Sequence, residues 1–66
     1  MQITLNGQIQ NIENSQTVAE LLEELQVAHK KTVVERNGII VMEELHKEEG
    51  LKDGDRIEII HFVGGG

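Results

Sequence analysis

Apolar and polar positions alternate at the start of the chain, where Ile3, Leu5 and Ile9 are spaced around Asn6-Gly7. A period of two marks a half-buried strand, and Asn-Gly is a strong hairpin signal because both residues tolerate positive φ. The pattern predicts a β-hairpin over Met1 to Asn11. The period then changes. Val18, Leu21, Leu22 and Leu25 fall at i, i+3, i+4 and i+7 with Glu20, Glu23, Glu24 and Gln26 between them, which makes one apolar stripe on a helix. Thr17-Val18-Ala19-Glu20 fits a capping box, with the Thr17 hydroxyl accepting from the first free backbone amides and Glu20 reaching back to the Thr17 amide. A helix of roughly ten residues is marginal alone, so its stripe has to cover a sheet.

The run from Thr32 to Val41 reads as two strands folded about Asn37-Gly38. Parity leaves open which of Val33 and Val34 faces inward. Glu43 to Gly50 is polar and reads either as irregular chain or as a short helical turn that Gly50 ends. Asp53-Gly54-Asp55 signals a turn, and the last strand, Arg56 to Val63, follows it. Two hairpins flanking a helix leave the last strand its most economical place beside the first, in the middle of the sheet, with the helix across one face. That arrangement is an α+β fold of the β-grasp kind, a mixed sheet of about five strands on one main helix. The expected division is a domain over residues 1–63 and a flexible glycine tail over residues 64–66.

Alternation along the last strand puts Ile57, Ile59 and His61 on one face and Glu58, Ile60 and Phe62 on the other. With Ile57 and Ile59 toward the helix, Ile60 and Phe62 either form an open patch for a partner or pack under the 43–50 loop. Gly64, Gly65 and Gly66 have no Cβ and can thread a slot too narrow for other residues. Extended, they reach roughly 10 Å, far enough to carry a terminal carboxylate into another protein's active site. Such a run can equally be an inert end. Ordering it costs about 1 to 2 kcal/mol per residue. Glycine offers no side chain to offset that cost, so binding energy has to come from nearby apolar residues, and Ile60, Phe62 and Val63 are the nearest.

At 66 residues the chain is one small domain that buries only about 60% of its unfolded surface. That leaves little room for a pocket with supporting walls, and no convergent acid-base pair is visible; a carrier or binding role is expected rather than an enzyme. There is no cysteine, which removes disulfides, Cys-ligated zinc and a side-chain persulfide. Acids outnumber bases 12 to 6, for a net charge of −6. Such a field disfavours nucleic acid and anionic membranes and favours basic protein partners, although acids also serve solubility alone. The longest apolar run, Ile39 to Met42, is far short of a bilayer span, and no signal segment opens the chain, so a cytoplasmic protein is expected.

His29, His46 and His61 lack metal-ligand spacing, and no metal site is expected. Asp53 and Asp55 resemble a fragment of a calcium loop without its glycine and distal Glu. Ser15 has no evident base, and no phosphate-binding loop is present. The chain is expected to bind no cofactor.

These segments together resemble the ubiquitin-like sulfur carriers, and most closely the thiamine-biosynthesis sulfur carrier (ThiS) family. The likeness lies in Met1-Gln2-Ile3 with Asn6-Gly7, Thr17-Val18-Ala19-Glu20-Leu21-Leu22, Val34-Glu35-Arg36-Asn37-Gly38, Asp53-Gly54-Asp55 with Ile57-Glu58-Ile59, and His61-Phe62-Val63-Gly64-Gly65-Gly66. One departure is Gly64, where relatives often carry alanine. The resemblance implies a monomeric carrier whose Gly66 carboxylate is adenylated with ATP by a ThiF-like partner enzyme. Sulfur from a cysteine desulfurase then replaces AMP, and the resulting thiocarboxylate delivers it to a ThiG-like thiazole synthase. Two alternatives stand beside this: a small subunit of molybdopterin synthase (MoaD-like), and a non-covalent β-grasp interaction module with an inert tail.

Overall fold

The computed structural model describes residues 1–28 and 30–61. The chain opens with the expected hairpin, β1 (Gln2–Leu5) and β2 (Gln8–Asn11), whose turn residues Asn6 and Gly7 have φ of 49° and 83°. Both values lie in the left-handed region that Asn and Gly reach at least cost. A helix, α1 (Val18–Glu24), follows, then a second hairpin, β3 (Thr32–Arg36) and β4 (Ile39–Val41), a single 3-10 turn at Glu43–Leu45, and β5 (Arg56–His61). The strand order is β2-β1-β5-β3-β4. β5 runs parallel to β1 and antiparallel to β3, so the last strand is central and the sheet is mixed. This is the β-grasp arrangement that the order of periodicities predicts.

The helical stripe covers one face of this sheet. Val18 and Leu21 are fully buried and Leu22 nearly so, clustered with Ile3, Leu5, Val34, Val41, Ile57 and Ile59 from the strands. Val34, not Val33, points inward, which settles the parity that the sequence leaves open. The core joins period-two and period-3.6 positions to Ile12 and Leu51 from the connecting segments, whereas Ile9, on the alternating run of the first hairpin, is 69% exposed.

Three details differ from the sequence reading. The helix has seven residues rather than about ten, because Gln26 takes φ 64°. There the Val27 amide donates to Leu22 O at 2.9 Å and the Gln26 amide to Glu23 O at 3.0 Å, the paired closure of a Schellman motif. At the other end Thr17 Oγ1 accepts from the Glu20 amide at 3.2 Å, but the Glu20 carboxylate accepts from Gln16 N at 2.8 Å rather than from Thr17. Thr17 is engaged in a strand-like bridge with Gly50, flanked by bonds from Val18 N to Glu49 O and from Leu51 N to Gln16 O. Gly50 thus ties the 43–50 segment to the start of the helix instead of ending a helical turn. The final strand, expected to Val63, is β5 as far as His61; Phe62, Val63 and the proposed boundary before Gly64 lie outside the described residues.

Candidate functional site

β5 is the element that carries the chain toward its glycines, and its neighbours fix both of its edges. β1 pairs with it only at Arg56 and Ile57. Beyond that point the Asn6 side chain takes over: Oδ1 accepts from Ile59 N at 2.8 Å and Nδ2 donates to Ile59 O at 3.3 Å. β3 pairs along its length, from Arg36 opposite Ile57 to Thr32 opposite His61. With Ile57 and Ile59 buried in the core, alternation turns Glu58 and Ile60 to the helix-free face, where Ile60 is 51% exposed. Of the candidate docking residues Ile60 is therefore open to solvent and not packed under the 43–50 segment. Phe62, Val63, Gly64, Gly65 and Gly66 lie outside the described residues.

The turn that starts β5 is built around Asp55, which is buried. Its carboxylate accepts from Arg36 Nε at 2.7 Å, Asn37 Nδ2 at 3.0 Å and the Lys52 amide at 2.8 Å. Burial alone would raise its pKa, but the hydrogen bonds from Arg36, Asn37 and Lys52 together outweigh burial and hold it below the ordinary 3.8. Arg36 reaches in addition to Glu49 at 3.1 Å. Asp53 accepts from Gln2 N at 2.7 Å. The fragment that resembles a calcium loop is thus a pair of structural clamps, with Asp55 already committed to donors.

The remaining chemistry-bearing side chains are similarly engaged. Ser15 is buried and donates to Glu24 Oε1, linking the chain before α1 to the helix. His46 is buried with Nε2 3.1 Å from Val41 O; His61 is exposed at the end of β5, and His29 lies outside the described residues. Among the described residues no group of three or more His, Cys, Asp or Glu side chains could hold a metal ion. No helix among them is long and apolar enough to cross a membrane.

Sequence reasoning missed the breadth of the surface beside Ile60. Val33 lies opposite Ile60, and Ile40 lies opposite Glu35. Ile40 and Met42 are 57% and 55% exposed, and with Val33 and Lys31 they line a groove of about 250 Å³. The signal existed in the Ile39 to Met42 run, but joining it to Ile60 requires the β5-to-β3 register.

The pattern of the ThiS family matches residues 3–66. The chain is 42% identical over 65 residues to the sulfur carrier protein ThiS of Bacillus subtilis, covering 97% of this chain and 98% of that one. It is 42% identical over 66 residues to a thiazole synthase of Paramagnetospirillum magneticum. All of this chain is covered by that match, which spans only 20% of the synthase's length. Among solved structures, the crystal structure of the thiamine biosynthesis protein ThiS from Geobacter metallireducens superposes with a TM-score of 0.83 at 36% identity, each chain covered completely. With a family pattern running from the first strand to Gly66 and a full-length relative well above 30% identity, the chain belongs to the ThiS family.

Proposed function

We propose that this protein is the sulfur carrier for building the thiazole part of thiamine, and that Gly66 carries the sulfur. A carboxylate is a poor electrophile until one oxygen becomes part of a good leaving group. A ThiF-like enzyme supplies that activation: the Gly66 carboxylate oxygen attacks the α-phosphate of ATP, pyrophosphate leaves, and an acyl-adenylate forms. A persulfide drawn from a cysteine desulfurase attacks the acyl carbon with its outer sulfur and AMP leaves; a second thiol then attacks the inner sulfur of the acyl disulfide, forming a disulfide and releasing the acyl sulfur as an anion. The product is a thiocarboxylate, a soft anion at neutral pH, ready to give its sulfur to a thiazole synthase.

The division of labour follows from the physical limits of the chain. A cysteine-free domain of this size has no thiol to carry sulfur, so the backbone terminus has to. Gly64, Gly65 and Gly66 thread the partner's slot, and Ile60, Phe62 and Val63 supply apolar contact. The observation that carries the reading is the family match reaching residue 66, beyond a central strand that presents Ile60 to solvent. A thiazole synthase is the favoured recipient because a relative named for that enzyme carries, within a longer polypeptide, a stretch 42% identical to this chain over all 66 residues.

Incubation with the adenylating enzyme, ATP and a sulfur source is expected to raise the intact mass by about 16 Da, the replacement of oxygen by sulfur at an activated acyl group. No mass change with an enzyme active on another carrier would instead favour a non-covalent interaction module. Removing Gly66 is expected to abolish charging while leaving the melting temperature unchanged.

A further inference from the structure

Each Asn-Gly turn plugs a side chain into the backbone of β5 at the point where a flanking strand runs out. On the β3 flank the last paired rung is Arg36 with Ile57, and one residue back Asn37 Oδ1 accepts from Arg56 N at 2.8 Å. On the β1 flank the ladder ends at Leu5 with Ile57. There Asn6 meets both backbone groups of Ile59, Oδ1 accepting at 2.8 Å and Nδ2 donating at 3.3 Å. Asn37 thus secures the start of the strand, and Asn6 the end from which the chain leads to Gly66. Among the described residues no other side chain bonds to the β5 backbone.

The turn conformation by itself does not call for a carboxamide. Asn6 has φ 49°, and glycine takes such a value at less cost than asparagine. What glycine lacks is an acceptor and a donor held in one plane, which answer the N–H and C=O of a single residue as a neighbouring peptide would. Ionised aspartate offers acceptors alone and glutamine is a methylene longer, so neither replaces it. On this flank, among the described residues, the two bonds are all that meet the backbone of β5 beyond Ile57; without them Glu58 to His61 are hydrogen-bonded along the β3 edge only. A displacement of about 1 Å at a reacting group can cost on the order of a hundredfold in rate, so the course of the strand that leads to Gly66 bears on the chemistry there.

We propose that Asn6 is a positioning residue for the charging of Gly66: its carboxamide takes the place that a further residue of β1 would hold, and fixes the course of β5 at Ile59 on the way to the terminus. The proposal rests on the carrier reading above. It separates recognition of the folded body from delivery of its end. Ile60 has its rung with Val33 on the other flank, which Asn6 does not touch, whereas the direction in which the chain leaves Ile59 depends on both edges.

The test follows the mass gain at Gly66 of the intact chain with the adenylating enzyme, ATP and a sulfur source, as initial rates over a range of carrier concentrations well below the melting temperatures. Asn6→Gly keeps the turn and is expected to lower kcat by about tenfold, with KM within about twofold of the parent. Asn6→Asp keeps the turn and the acceptor, loses the donor, and is expected to fall between the two. Asn37→Gly removes a comparable pair of bonds at the start of β5. It is expected to melt lower, as Asn6→Gly does, yet to charge at the parental kcat. A parental kcat in Asn6→Gly, a rise in KM alone, or an equal loss of kcat in Asn37→Gly would each overturn the proposal. The carrier reading fails separately, when the parent itself gains no mass with an enzyme active on another carrier.

Discussion

Arg36 and Asp55 form a two-point clasp, Nε to Oδ2 at 2.7 Å and Nη2 to Oδ1 at 3.4 Å, that fixes the end of β3 to the turn from which β5 departs. The carboxylate is buried and meets two further donors, so removing it leaves Arg36 with Glu49 alone and takes the acceptor from the Asn37 side-chain amide and the Lys52 backbone amide. Asp55→Ala is expected to cost about 2 to 4 kcal/mol, read as a lower urea midpoint at unchanged slope. A loss under 1 kcal/mol would show that the clasp is dispensable.

The same carboxylate makes stability depend on pH. Its native pKa lies below the unfolded value of 3.8, so its contribution is fully present above 3.8 and drains away as pH falls through the lower native value. Wild-type unfolding free energy is expected to drop across that acid window. In Asp55→Asn the drop should be smaller, since the group no longer titrates. Parallel profiles for the two proteins, measured by urea unfolding between pH 2 and 6 as an approximate working range, would contradict the assignment.

Asn6 does two jobs at once: it accepts a φ of 49° and its amide stands in for a strand residue beside Ile59. Asn6→Gly keeps the conformational freedom and deletes the two side-chain bonds. A loss of about 1 to 2 kcal/mol is expected. If hydrogen exchange of the Ile59 amide were no faster in this variant, the clamp would not be what protects it.

Gln26 closes α1 in a left-handed conformation that costs a residue with a Cβ roughly 1 kcal/mol. Its side chain is exposed, so little is lost by deleting it. Gln26→Gly is expected to stabilise the protein by about 1 kcal/mol, a rise of roughly 4 to 8 °C in melting temperature for a domain of this size. A fall in melting temperature would mean that the side chain contributes contacts outweighing the strain.

The two hairpins, the helix and the central place of the last strand were legible because each rests on local chemistry: Asn-Gly at the turns, a capped stripe at 3.6 periodicity, alternation along β5. What escaped is what register decides. The sequence 43 to 50 does not disclose that Gly50 meets Thr17, and the capping-box pattern does not disclose that Glu20 accepts from Gln16 instead of Thr17. Asp55 reads as a turn residue; its attachment to Arg36 spans 19 positions. The exposed face of the sheet was half visible, because parity exposes Ile60, whereas Val33 joins Ile60 only once β3 is laid against β5.

The placement of β5 between β1 and β3 also governs how the domain answers mechanical load. Tension applied at its C-terminal end runs along a strand gripped on both flanks, with its neighbours on one side parallel and on the other antiparallel. The ladders are then sheared together instead of being peeled rung by rung. A pull on the end of β5 therefore loads two ladders at once and leaves Ile57 and Ile59 seated in the core.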